Sequence, residues 1–157
     1  MRFFFRNKKS DSDLRLISFL VKKLGYRPKN LELFHKALTH KSYSNLRDDI
    51  QSNERLEYLG DTVIDLIVAH FLFEKFPDRD EGYLTKLKSK IVNRNMLSQI
   101  GAELELAEHI RYKTGRSIRV ATIEGNAFEA LIGAIYLDSD FDTTKKIFNN
   151  YIIRNYV

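Results

Sequence analysis

The sequence predicts an all-α domain. Apolar residues recur with a period near 3.6 along most of its 157 residues, strand-like alternation is scarce, and turn residues are sparse, with seven glycines and two prolines. The stretch DSDLRLISFLVKKLG (11–25) opens on Asp and Ser, which cap helices, and stops at Gly25. NLELFHKALTHKSY (30–43) follows Pro28, with Asn30 as N-cap and Leu31, Phe34, Ala37 and Leu38 along one face. A polar link, SNLRDDIQS, leads to a long helix from about Asn53 to Phe76, stopped by Pro77. DEGYLTKLKSKIVNRNMLSQIGAELEL holds one helix from about Gly82 and a second from about Asn95. EHIRYKTGRSIRVAT is the least helical segment and reads as a loop. EGNAFEALIGAIYLDSD (124–140) reads as a further, buried helix, and FDTTKKIFNNYIIRNYV (141–157) as a last amphipathic one. With no internal repeat or low-complexity linker, the expected organisation is a flexible basic N-terminus over residues 1–10 and a single helical domain over 11–157.

Composition narrows the function classes. Apolar residues at 43% and charged residues at 30% are those of a globular protein rather than a disordered one. The absence of cysteine excludes a disulfide framework and a thiolate metal site, and it fits a reducing cytosol. No uninterrupted apolar run approaches the length of a bilayer span, so no membrane partner is expected. MRFFFRNKKS has too short an apolar centre for a signal peptide, and the expected location is cytoplasmic. A net charge of +5 and a pI near 9.3 favour polyanionic partners. Two stretches carry cations without acids: Arg111, Lys113, Arg116 and Arg119 in RYKTGRSIR, and Lys86, Lys88, Lys90 and Arg94 in LTKLKSKIVNR. Each serves equally as a solvated face or as a surface for phosphates.

The acids are distributed differently. In NERLEYLGD (53–61), Glu54, Glu57 and Asp61 stand at i, i+3 and i+7, one face of a helix, among the apolar residues Leu56, Leu59, Val63 and Ile64. The helix dipole accounts for Glu54 near the start, but not for Asp61 two turns in. In NAFEALIGAIYLD (126–138), Asn126 and Glu129 share a face of a largely apolar helix whose Phe128, Leu131, Ile132 and Ile135 are expected in the core. Two apolar helices each carrying oxygen ligands can build a hard-cation site where they pack. With carboxylate and amide oxygens and no thiolate, the ion expected is Mg²⁺ or Mn²⁺. The alternative is that the acids are structural, paired with Arg55, Lys88 or Arg94.

NERLEYLGD, preceded by LFHKALTHKSY and followed by NAFEALIGAIYLD, closely resembles the ribonuclease III family, in order and spacing, from about Gly25 to Asp142. The resemblance implies a ribonuclease III-type endonuclease domain helical bundle. It implies that Glu57, Asp61, the residue at 126 and Glu129 hold the metal, with Asp61 and Glu129 catalytic. Glu54 and Glu81 match supporting acids of the family's catalytic valley, and Tyr58 matches an aromatic that contacts the partner subunit of a homodimer. An aromatic on a helix is also commonly just core. The implied reaction is cleavage of double-stranded RNA, one strand per active site, to 5′-phosphate and 3′-hydroxyl ends.

That chemistry needs these residue types. Hydrolysing a phosphodiester at neutral pH requires an activated water and relief of charge on phosphate and leaving oxygen; Mg²⁺ does both, and two ions about 3.5–4 Å apart clamp attacking and leaving oxygens. Duplex RNA is read by A-form shape, 2′-hydroxyls and phosphates, which suits Lys86, Lys90, Lys113 and Arg116 as backbone contacts. Two departures stand out. Asn126 occupies the place of a family aspartate, so metal affinity should fall and Mn²⁺ should substitute better. The chain is also read as a nuclease domain without the double-stranded-RNA-binding domain that other family members append. The rival reading is a non-catalytic relative, an RNA-binding or ribosome-associated protein that keeps the fold. His35, His40, His70 and His109 are scattered and are assigned no chemistry.

Overall fold

The long helix of NERLEYLGD and the apolar helix of NAFEALIGAIYLD lie against each other and organise everything else. The computed structural model describes residues 9–115 and 117–150. In order, its elements are α1 (Asp11–Leu24), α2 (Leu31–Ala37), α3 (Lys41–Ser44), α4 (Glu54–Lys75), α5 (Glu81–Ile91), α6 (Arg94–Glu103), a 3-10 turn (Leu106–Glu108), α7 (Val120–Asp138) and α8 (Phe141–Phe148). Among the described residues there is no strand, only an isolated bridge between Thr39 and Arg111. The all-α expectation holds.

Local chemistry sets the boundaries. Ser10 and Asp13 form a reciprocal capping box at the start of α1, and Gly25 closes it in the left-handed conformation at φ 65°. Asn30, Asp80, Asn93 and Asp140 cap α2, α5, α6 and α8 with their side chains. Asn53, 1% exposed, fixes the start of α4. Its N–H donates to the Thr39 carbonyl (2.8 Å), its side-chain amide donates to the Ala37 carbonyl (3.1 Å), and its own carbonyl accepts from Glu57 N–H (2.8 Å).

α7 is the axis of the core. Phe128, Leu131, Ile132 and Ile135 are buried as expected, with α4 packed on one flank, α6 on another and α2 nearby. By length and apolarity α7 would meet the minimum for a bilayer span, but most of its apolar residues are buried within the domain. The α4–α7 crossing is close because glycines meet there. A Cβ added to Gly60 would fall on the carbonyl oxygen of Glu129, and one on Gly133 would fall on that of Leu56. On the other flank, a Cβ on Gly101 of α6 would come within 2.7 Å of the Glu124 backbone. At the far end of α7, Asp138 accepts hydrogen bonds from the Tyr26 hydroxyl and from the Lys29 and Asn30 N–H groups, each at 2.7 Å. Burial raises the Asp138 carboxyl, but these three donors outweigh it and leave the pKa below its usual value.

Two boundaries differ from expectation. The stretch 30–43 is not one helix: α2 ends at Ala37, and Thr39 and His40 break the path before α3. Thr39 is fully buried, its hydroxyl donates to the His35 carbonyl (2.7 Å) and accepts from the Arg111 guanidinium (2.6 Å), and His40 Nδ1 then accepts from Ser42 N–H to start α3. Helix α7 begins at Val120, four residues before Glu124, because the Thr122 and Ile123 N–H groups both donate to the Arg119 carbonyl. Most of the expected N-terminal segment (1–8) and the end of the last expected helix (151–157) lie outside the described residues.

Candidate active site

The face of α4 that carries acids and the face of α7 that carries Asn126 and Glu129 open onto one cleft of about 510 Å³. Glu54, Glu57, Tyr58 and Asp61 line it from α4; Thr122, Gly125, Asn126 and Glu129 from α7; and Asn93, Arg94, Leu97 and Ser98 from α6 and its cap. The i, i+3, i+7 spacing on one helix and the i, i+3 spacing on the other put these groups on facing surfaces. The absence of side chains at Gly60 and Gly133 lets the helices approach closely enough for them to share a cavity. The four residues expected to hold a metal are thus brought together: Glu57, Asp61, Asn126 and Glu129.

Their electrostatics are those of acids without a counterion. Burial pushes the Glu129 carboxyl up to about 8, reinforced by the charges of Asp61 and then Glu57, while Arg94 acts weakly in the opposite direction. Glu57 is also raised, by burial first and by Glu54 and Asp61 beside it, against the lowering effect of the Asn126 amide and Arg94. Asp61, expected near the core, is instead exposed on the cleft; the desolvation cost falls on Glu57 and Glu129. The structural pairing that competed with a metal site does not form. Among the described residues, no cation lies within ion-pair distance of Glu57, Asp61 or Glu129, and Lys88 pairs with Asp65 at 2.8 Å. Glu54 differs, since Lys41 holds it at 3.0 Å and depresses its pKa.

As they stand, no three His, Asp or Glu side chains among the described residues converge tightly enough to enclose an ion. The donor set nevertheless fits a hard divalent cation: three carboxylates and an amide oxygen, with no thiolate and no imidazole. Because the folded pKa of Glu129 lies above its unfolded value, the folded state holds an extra proton between those values. Metal-free stability therefore falls as pH rises toward about 8. A bound cation removes that loss. The melting-temperature gain from Mg²⁺ should be larger at about pH 9 than at about pH 6, by about 3 °C, in paired thermal melts with and without chelator. An equal gain at both pH values would remove Glu129 from the ligand set.

The remaining predicted residues fall into three groups. Tyr58 sits on the cleft rim at 79% exposure, so it is not a core aromatic. Glu81 does not reach the cleft; it is the exposed first residue of α5 and accepts a hydrogen bond from Thr85 (3.2 Å). Lys86 and Lys90 are exposed one turn apart on α5, Lys113 is exposed on the segment after Arg111, and Arg116 lies outside the described residues. The histidines have local partners: His35 with Asp13 (2.7 Å), His109 stacked on Phe19, His40 at the start of α3, and His70 beside Glu74 and Lys145.

Sequence reasoning missed the α6 contribution to the cleft. Asn93 and Ser98 were not singled out, and Arg94 was weighed only as one cation of a basic stretch and as a salt-bridge partner; its place at the start of a helix facing α7 is visible only in three dimensions. A buried glutamate, Glu124, also went unremarked. At 7% exposure it accepts from Ala107 N–H (3.2 Å) and ties the 3-10 turn to α7.

The Ribonuclease-III-like family profile matches residues 30–156. Ribonuclease 3 of Zunongwangia profunda is 38% identical over 154 residues, covering 96% of this chain and 63% of that protein. Ribonuclease 3 of Azobacteroides pseudotrichonymphae is 42% identical over 156 residues, 98% of this chain and 58% of that protein. The chain thus spans about three-fifths of the length of these curated relatives. Among solved structures, the nuclease domain of ribonuclease III from Campylobacter jejuni, described for structural flexibility in a region involved in dimer formation, superposes with a TM-score of 0.79. It shares 37% identity, covering 89% of this chain and 98% of that one. A helical fold organised on the α4–α7 pair, an acidic cleft at its crossing and a profile match over most of its length lead to one assignment: the chain belongs to the ribonuclease-III-like family.

Proposed function

We propose that the chain is a divalent-metal-dependent endoribonuclease that cuts double-stranded RNA, leaving 5′-phosphate and 3′-hydroxyl ends. The observation that carries this reading is the convergence of Glu57 and Asp61 with Asn126 and Glu129 on one cleft, with no ion pair among the described residues that would explain the acids structurally. A divalent cation held by these oxygens would lower the pKa of an attacking water and neutralise charge developing on the phosphate and the leaving 3′ oxygen. The protein's own contribution is to hold the carboxylates in register on two rigid helices. Burial of Glu57 and Glu129 makes their ionised forms costly until positive charge arrives, which couples site formation to cation entry.

The surroundings support capture of a polyanion. Lys86 and Lys90 on α5, Lys113 and Arg116 are proposed phosphate contacts, so affinity for duplex RNA should fall steeply with salt. Glu54, held by Lys41, is proposed as a supporting acid, whereas Glu81, outside the cleft lining, is not. Pairing of two copies is also part of the proposal. Tyr58, Leu66 and Phe73, 79%, 55% and 71% exposed, form an apolar ridge along one flank of α4, a surface of the kind that seeks a partner.

The test is incubation of labelled duplex RNA with the protein in Mg²⁺, in Mn²⁺ and in chelator, with Asn126→Asp alongside. Cleavage is expected in both metals and in neither chelated sample, Mn²⁺ being the better in the natural chain. Asn126→Asp adds an anionic ligand and should lower the Mg²⁺ concentration giving half-maximal rate by about tenfold. Retention of duplex RNA without cleavage in every metal would replace the enzyme with a binding protein.

A further inference from the structure

The cleft contains one charged side chain that the reading above leaves unused. Arg94, the first residue of α6, is exposed at the cleft, and its charge acts on both Glu57 and Glu129. Yet no carboxylate among the described residues lies within ion-pair distance of its guanidinium. Two other cations beside the acids of α4 are already paired, Lys41 with Glu54 and Lys88 with Asp65. The backbone that carries Arg94 is fixed rather than loose: Asn93 accepts from Met96 N–H (3.0 Å) and donates to the Lys90 carbonyl (2.8 Å), locking the corner between α5 and α6.

Charge balance gives this residue a meaning. With Glu57, Asp61 and Glu129 ionised, Glu54 offset by its ion pair with Lys41, Asn126 neutral and Arg94 positive, the cleft carries two net negative charges, which one divalent cation neutralises. An aspartate at 126 and a neutral side chain at 94 would leave four, the complement of two such ions. A second ion in the present cleft would meet too few anionic ligands and a repelling guanidinium.

We propose that the cleft holds a single divalent cation, and that the Arg94 guanidinium supplies the second positive charge, gripping a non-bridging oxygen of the RNA phosphodiester. The proposal rests on the metal-dependent reading above. A guanidinium suits the task because its planar fork donates two parallel hydrogen bonds to a phosphate and stays charged at any working pH. A fixed positive charge costs no reorganisation when phosphate charge shifts during cleavage.

The test has two readouts that do not depend on turnover. Titration with Mn²⁺, followed by electron paramagnetic resonance of the free ion, gives stoichiometry. One ion per chain is expected for the natural sequence, and two for the double variant Arg94→Ala/Asn126→Asp. Binding to a short duplex RNA in Ca²⁺, which takes the same oxygen ligands, should weaken about tenfold in Arg94→Ala, with Arg94→Lys recovering part of the loss. Thermal melts verify that each variant is folded, as expected for an exposed side chain outside any ion pair. Two ions of similar affinity in the natural chain, or RNA affinity unmoved by Arg94→Ala, would overturn the proposal and leave the metal-dependent reading standing. Failure of every form to bind Mn²⁺ would remove that reading, and this proposal with it.

Discussion

Asp61→Ala is expected to reduce cleavage of duplex RNA by at least about a thousandfold while leaving the protein folded. Asp61 is exposed on the cleft and in no ion pair among the described residues, so its removal opens no cavity and strands no buried partner. Its charge is the largest influence on Glu129 after burial, so the Glu129 carboxyl should move back down in the variant. Metal-free stability above neutral pH should therefore rise slightly, since one source of repulsion has gone. Single-turnover cleavage gives the first result and thermal melts across pH the second. The isosteric Asp61→Asn separates charge from shape and should lose activity as severely. Cleavage at the natural rate in either variant would mean that α4 does not carry the chemistry.

Gly60→Ala should be the most damaging small substitution in the molecule, costing upward of about 4 kcal/mol or preventing folding. The added methyl falls on the Glu129 carbonyl oxygen and comes within 3.0 Å of Gly133 N. Both are helix backbone, so no side chain can rotate away. Relief requires α4 and α7 to separate, and that carries the carboxylates of Asp61 and Glu129 apart. Two other glycines calibrate the result. Gly125→Ala meets Ser98 Oγ at 3.2 Å and should cost about 1 kcal/mol, while Gly82→Ala meets only Asp80 Oδ1 at 3.6 Å and should be neutral or slightly stabilising. Urea unfolding of the three variants measures the series. A cost at Gly60 no greater than at Gly125 would show that the helices part more easily than their packing implies.

The helices and the acids were legible in the sequence because both rest on short-range rules. A 3.6-residue period names the buried face of α7, and i, i+3, i+7 spacing places Glu54, Glu57 and Asp61 together without knowledge of what they face. What spacing cannot give is the partner across the gap. Arg94 was legible only as a cation, and its place in the cleft depends on α6 lying along α7, which the chain reaches through a turn at Asn93. The break at Thr39 was illegible for a similar reason. FHKALTHKS continues an acceptable helical pattern, and only the Arg111 guanidinium, 72 residues away, makes the interruption favourable. Glu81 shows the converse, since a match to a family acid placed it at the site and the described chain leaves it on the first turn of α5.

The clasp on Asn53 bears on where this chain can change length. The direction in which α4 faces is indexed to Thr39 and Ala37, not to the loop of residues 45–52. Residues can be gained or lost in that loop without altering which way the acids look. One residue inserted between Asn53 and Glu57 would turn every later side chain of α4 by about 100°, swinging Asp61 away from Glu129. Insertions are tolerated on one side of a single asparagine and ruinous on the other.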